Sequence, residues 1–316
     1  MRILVVGAGA VGGYFGGRLL QAGRDVTFLV RPARAAALAD SGLGIRSRFG
    51  DVRLQAPPTV VAGQLEAPFD LIVLSCKAFD LESALASIAP AVGEATAILP
   101  LLNGMRHLDR LDREFGASRV LGGVCVIGST VDEHGTVIHL NDVHGLSFGE
   151  RRGGPSARTQ AILNVMSGAI FEARLSGRIV EDMWEKWVFL ASLAGSTCLM
   201  RASIGQIVES PGGVEFVQAL LAECSQVAQL AGFAPRDSVL ERSRSMLTAA
   251  GSGQTASMLR DIERNAPVEA DHVIGDLIDR AGQGRGGAAP PLPLLRLVYT
   301  HLKAYEARRF RVGPGR

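Results

Sequence analysis

The opening segment constrains the fold more than any other part of the chain. Met1-Arg2-Ile3-Leu4-Val5-Val6 is a nearly continuous apolar run that leads straight into Gly7-Ala8-Gly9-Ala10-Val11-Gly12. A central parallel strand, buried on both faces, reads in this way. Beyond the glycines, Val11, Phe15, Leu19 and Leu20 recur at helical spacing, Gly23 closes the helix, and residues 25–30 form a second strand-like run. Strand, glycine turn, helix and strand in that order predict a βαβ unit whose turn holds a dinucleotide. The three glycines serve different ends. Gly7 turns the chain sharply off the strand, Gly9 admits a pyrophosphate to the backbone, and Gly12 lets the helix lie close to the sheet. The N–H groups at the helix start then hold the phosphates, so Gly7, Ala8, Gly9, Ala10, Val11 and Gly12 are the cofactor-binding candidates.

Such a turn carries little weight alone, and the tip of the second strand adds to it. An NAD-binding chain usually places an acidic residue there for the ribose 2′-hydroxyl. This chain has Arg31 at the tip and Arg34 beyond it, while Asp25 lies at the wrong end of the strand. Arg31 therefore points to NADP(H), with a guanidinium for the 2′-phosphate; the competing account is a solvated arginine pair on an ordinary loop.

At 316 residues, two domains are expected. With 47% hydrophobic and 20% charged residues and a net charge of +2, the chain has a globular composition and no field to steer nucleic acid. Cys76, Cys125, Cys198 and Cys224 lack CxxC spacing and sit in apolar company, which suits free thiols in a reducing compartment, the cytoplasm. Arg2 before an apolar stretch imitates a signal peptide, but the glycines between 7 and 17 argue against an inserting helix. No apolar run is long enough to suggest a membrane span.

Residues 70–75 and 97–102 repeat the buried-strand pattern and end at Cys76-Lys77 and Asn103-Gly104. Ligands of open parallel sheets bind at the carboxyl ends of strands, which makes Lys77 and Asn103 candidates; a surface lysine and a turn-forming Asn-Gly are the bland alternatives. From 119 to 149 short alternating runs predict antiparallel strands, with turns at Gly135 and Asn141-Asp142. His139 and His144 lack an evident third ligand, so no metal site is expected. From about 175 onward the pattern is helical: 180–207 as one long helix, then 214–230, 239–247, 258–265, 268–281 and 294–307, with a disordered tail at 313–315. The expected architecture is an α/β Rossmann domain over 1–174, mostly parallel with an antiparallel extension, and an all-α domain over 175–316 for substrate and catalysis.

Two ionisable residues stand out in the helical half. Lys186 lies among large apolar residues in Met183-Trp184-Glu185-Lys186-Trp187-Val188-Phe189-Leu190, and Glu269 follows Pro267, which must kink or restart a helix. A desolvated lysine is a competent proton donor near neutrality. Snorkelling by Lys186 and helix capping by Glu269 are the alternatives.

Across nearly its whole length the sequence resembles the ketopantoate reductase (2-dehydropantoate 2-reductase) family. The matching pieces are the Gly7–Gly12 turn, Ser75-Cys76-Lys77, Asn103-Gly104-Met105, Trp184-Glu185-Lys186-Trp187, and Ser257-Met258-Leu259-Arg260-Asp261-Ile262 with Glu269 beyond. The resemblance implies a helical domain of the 6-phosphogluconate dehydrogenase C-terminal type. It also implies NADPH-dependent reduction of 2-dehydropantoate to pantoate, in pantothenate biosynthesis. By the same resemblance Lys186 is the general acid and stabilises the developing alkoxide, while Glu269 holds substrate hydroxyls and orients Lys186. Ser257 meets the substrate carboxylate, Asn103 bridges cofactor and substrate, Lys77 contacts the nicotinamide end, and Arg31 takes the 2′-phosphate. Relatives can associate through the helical domain, and the apolar helices here permit a homodimer.

The chain departs from the family where Leu190 and Ala194 replace asparagines four and eight residues past the lysine, and where Ile204 replaces an often polar residue. Each lost buried hydrogen bond to substrate typically costs about 1–3 kcal/mol. A paralogous reductase of a more apolar 2-oxo acid is therefore the alternative, ahead of a non-catalytic NADP-binding regulator.

Overall fold

The computed structural model describes residues 1–283 and 290–312, so the tail expected at 313–315 lies outside the described residues. The chain forms two compact units, one of Met1–Leu102 with His107–Asp182, the other of Asn103–Arg106 with Met183–Arg316.

The first unit carries a wholly parallel sheet built from β1 (Ile3–Val6), β2 (Val26–Leu29), β5 (Thr59–Val60), β6 (Leu71–Leu74) and β7 (Ala97–Pro100), in the order β5-β2-β1-β6-β7. β1, β6 and β7 are buried at every residue, as their unbroken apolar runs require. A second sheet holds β3 (Leu43–Arg46), β4 (Val52–Leu54), β8 (Gly122–Val131), β9 (Val137–Gly149) and β10 (Glu172–Leu175). The antiparallel extension expected from 119 to 149 is the β8–β9 hairpin, and β10 and β3 run parallel to β9. β3, β4, β5 and β10 are not predicted from the sequence: each is short and partly exposed, with neither the unbroken apolar run of β1, β6 and β7 nor a usable period.

Asn141 and Asp142 do not form a turn but lie inside β9. The hairpin register shifts between Ile127 and Ser129, and the Asn141 carboxamide oxygen accepts the Gly128 N–H at 2.9 Å. An asparagine able to mimic a turn instead fills the backbone hydrogen bond that an irregular ladder leaves open. Helices α1 (Ala10–Gln21), α2 (Pro32–Ser41), α3 (Leu81–Ile88), α4 (Arg106–Phe115) and α5 (Ala157–Met166) complete this part of the chain.

The second unit is helical: α6 (Ile179–Met200), α7 (Ile204–Val208), α8 (Gly213–Leu230), α9 (Asp237–Leu247), α10 (Ser257–Glu263), α11 (Asp276–Gly282) and α12 (Pro293–Val312). The expected single helix over 180–207 is two. Arg201 adopts a left-handed φ of 55°, and Ser203 and Gln206 form a reciprocal capping box that starts α7. A π-helical turn, Asp271–Gly275, leads into α11. Among the described residues no helix is long and apolar enough to cross a membrane.

Candidate active site

In the N-terminal unit the site is made chiefly of backbone. Gly7 has φ 92°, a conformation open to glycine but strained for other residues. A Cβ on Gly12 would lie 2.1 Å from Ser75 Oγ and 2.2 Å from the Gly7 carbonyl oxygen, so only glycine lets α1 sit this close to β6. A Cβ on Gly9 would meet nothing within 4 Å. Gly9 is also the N-cap of α1, where no side chain caps the helix and no acidic residue occupies the first turn. Open space above uncapped N–H donors at a helix start fits a pyrophosphate. Ser75 supports the turn from below, its hydroxyl donating to the Val6 carbonyl at 2.7 Å.

The two arginines beyond β2 have different surroundings. Arg34 donates through Nη2 to the carbonyls of Ala8 at 3.1 Å and Gly135 at 2.8 Å, tying the glycine turn to the hairpin. Burial pushes its guanidinium below the usual arginine value. Arg31, the N-cap of α2, is 76% exposed and meets the Asp80 carboxylate at 2.5 Å. Lys77 follows β6, half-buried, and starts the short turn Ala78–Asp80.

In the helical unit the site is made of side chains. Lys186 is half-buried rather than enclosed, which corrects the desolvated lysine that its apolar neighbours suggest. Trp184, Glu185, Trp187 and Val188 turn inward, whereas Lys186 shares a partly open stripe with Phe189 and Leu190. Its Nζ donates to Asn103 Oδ1 at 3.1 Å. The short segment 103–106 thus belongs with the helices although it follows β7.

The π-helical turn organises this cluster. The Trp187 indole N–H donates to the Val273 carbonyl at 2.8 Å, which fixes the lysine-bearing helix against the turn. Gly104, at φ 73°, presses so close that a Cβ would stand 2.6 Å from the His272 carbonyl oxygen. Burial pushes the His272 imidazole down, while the charge of Glu269 and a hydrogen bond to the Asn103 backbone pull it up. Glu269, 8% exposed, lies immediately before the restarted helix. Lys186 and Asn103 thus pair directly, and Glu269 is tied to the same π-helical turn, where its carbonyl accepts the Val273 N–H at 2.9 Å. Ser257 stands exposed in the first turn of α10. Sequence reasoning missed His272, Ser75 and Trp187 as supports. For His272 the only available signal was its i, i+3 spacing from Glu269. Glu185, adjacent to the lysine, is structural: 6% exposed, it receives the Arg236 backbone N–H at 3.1 Å and the guanidinium at 2.7 and 2.5 Å.

His139 and His144 are absorbed by packing. Phe49 stacks on His144 with centroids 3.8 Å apart, and the Nδ1 atoms of His144 and His139 bond the hydroxyls of Tyr14 at 2.7 Å and Ser47 at 2.9 Å.

Two family models cover the chain: Ketopantoate reductase PanE/ApbA matches residues 3–153, and Ketopantoate reductase PanE/ApbA C terminal matches residues 178–306. The chain belongs to the ketopantoate reductase family. It is 38% identical over 309 residues to the uncharacterized oxidoreductase YkpB of Bacillus subtilis, spanning 98% of this chain and 100% of that one. A crystal structure of 2-dehydropantoate 2-reductase from Geobacter metallireducens superposes with a TM-score of 0.87 at 27% identity, over 96% of this chain and 99% of that one. The ternary structure of D-mandelate dehydrogenase with NADH and anilino(oxo)acetate gives 0.86 at 22% identity, over 98% and 100%. Membership makes the chain an oxidoreductase.

Proposed function

We propose that this ketopantoate reductase family member uses NADPH to reduce a 2-oxo acid to the 2-hydroxy acid, with 2-dehydropantoate as the substrate and pantoate, for pantothenate biosynthesis, as the product. The hydrogen bond between Lys186 Nζ and Asn103 Oδ1 supports the reading most, because it fixes an ammonium beside a second polar group that can address the same ligand. When bound, a reduced nicotinamide supplies hydride to the carbonyl carbon. As the carbonyl π pair moves onto oxygen, Lys186 donates the proton that completes the alcohol, and its charge stabilises the oxygen until then. The lysine regains a proton from solvent.

Asn103 holds Lys186 and reaches both cofactor and substrate, Glu269 receives substrate hydroxyls, and Ser257 takes the carboxylate. Gly7 to Gly12 hold the pyrophosphate, Lys77 the nicotinamide end, and Arg31 the 2′-phosphate. The free cysteines suit a reducing compartment, here the cytoplasm. Exposed Leu297 and Phe310 on α12 suit self-association through the helical unit, which sedimentation would reveal.

A second reading has its own observation. Leu190, half-buried, lies one turn past Lys186 on the same open stripe, and Ala194 and Ile204 are buried apolar residues where polar partners would serve a hydroxyl. Leu190 is the part of this set open to a ligand, and a 2-oxo acid with a more apolar tail fits it better. NADPH oxidation measured across a panel of 2-oxo acids tests both readings. Preference for 2-dehydropantoate supports the first, preference for branched or aryl 2-oxo acids the second, and no turnover with any member overturns both.

A further inference from the structure

Asp80 stands in a position that normally caps a helix, and it does something else. It is the N-cap residue of α3, yet its carboxylate accepts no N–H of that helix and is turned toward Arg31. Arg31 occupies the same position on α2 and likewise leaves its helix uncapped by a side chain. β2 and β6 flank β1 in the sheet. The ion pair at 2.5 Å therefore reaches from the end of β2 to the turn after β6, across the strand that delivers the Gly7–Gly12 turn. One carboxylate thus occupies the guanidinium that, on the proposed reading, serves the 2′-phosphate.

We propose that Asp80 sets the nucleotide preference of this chain, holding Arg31 so that a 2′-phosphate must displace a carboxylate before it gains the guanidinium. The inference rests on the assignment of Arg31 to that phosphate. NADPH brings a dianionic group next to Asp80 and loses part of what Arg31 offers, whereas NADH brings none. The chain then favours NADPH over NADH by less than Arg31 alone would allow. Because the pair is exposed on the Arg31 side and 32% exposed on the Asp80 side, the effect is modest and salt-sensitive.

The test is calorimetric binding of NADPH and NADH, without substrate, to the intact protein and to Asp80→Asn, Asp80→Glu and Arg31→Ala at low and high salt. Asp80→Asn should tighten NADPH about two- to fivefold with NADH unchanged, the gain shrinking as salt rises. Asp80→Glu, which keeps the charge, should stay near the parent ratio. If Arg31→Ala removes the preference while Asp80→Asn leaves the ratio at the parent value, the role of Asp80 is overturned and the Arg31 assignment stands. If Arg31→Ala weakens both nucleotides equally, the assignment itself fails and the role of Asp80 falls with it.

Discussion

The two units build their binding groups from different material. In the N-terminal unit the proposed phosphate cradle is backbone: a left-handed Gly7, an open Gly9, a tightly packed Gly12 and the uncapped start of α1. In the helical unit the proposed working groups are side chains on separate helices and loops, Lys186 on α6, Asn103 after β7 and Glu269 before the π-helical turn. A backbone site is specified by what is missing, since every atom added to a glycine is an obstruction. A side-chain site is specified by what is added, and it needs scaffolding such as the Trp187 bond to Val273 to hold it in place.

The strongest challenge to that contrast removes the chemistry from one unit and asks whether the other notices. Lys186→Ala should lower kcat about 10²- to 10⁴-fold. NADPH affinity, read by calorimetry, should stay at the parent value. A fall in both would mean that the lysine serves nucleotide binding.

Glycine substitutions probe the cradle itself. Gly12→Ala drives a Cβ to 2.1 Å from Ser75 Oγ and 2.2 Å from a backbone oxygen. It should cost about 1–3 kcal/mol or more and lower the melting temperature along with nucleotide affinity. Gly9→Ala has open space within 4 Å and should leave the melting temperature unchanged while weakening nucleotide binding. Equal melting losses in the two variants would show that Gly9 serves packing, not access.

Arg236→Ala separates scaffold from chemistry in the helical unit. Stripping the guanidinium from Glu185, which is 6% exposed, should cost about 1–3 kcal/mol in denaturant unfolding, with turnover per folded molecule retained. Lost turnover at full stability would instead place Glu185 in the reaction. The smallest effect concerns the thiols. Burial pushes Cys198 and Cys224 up to about 12, and Cys125 is buried, so native protein at neutral pH should label at the half-buried Cys76 and gain the other three on unfolding. Mass spectrometry of the labelled chain distinguishes these sites.

The legible parts of the fold share a physical property. Unbroken apolar strands such as β1, β6 and β7, and long helices with one period such as α8 and α12, report burial directly because the whole strand or face is committed to a core. β3 and β4 mix apolar with glycine and arginine residues over three or four positions, so neither an apolar run nor a period marks them, and long-range pairing creates them. The break between α6 and α7 was written locally in Ser203 and Gln206, but the apolar run through 180–207 masked it. Lys186 shows the opposite failure. Its apolar neighbours suggested burial, yet a helix turns adjacent residues about 100° apart, so large neighbours buried on one side leave the lysine on the other.

The βαβ start, the glycine cradle, the position of Arg31 and the helical character of the second half are all written in the order of residues, because each depends on neighbours close together in the chain. The partners those residues find come from folding alone: Asp80 for Arg31, Asn103 for Lys186, Arg236 for Glu185, and the π-helical turn for Trp187 and Gly104. Local sequence sets backbone conformation through sterics and burial period. Pairing across tens of residues depends on where folding brings those backbones, which no short window records.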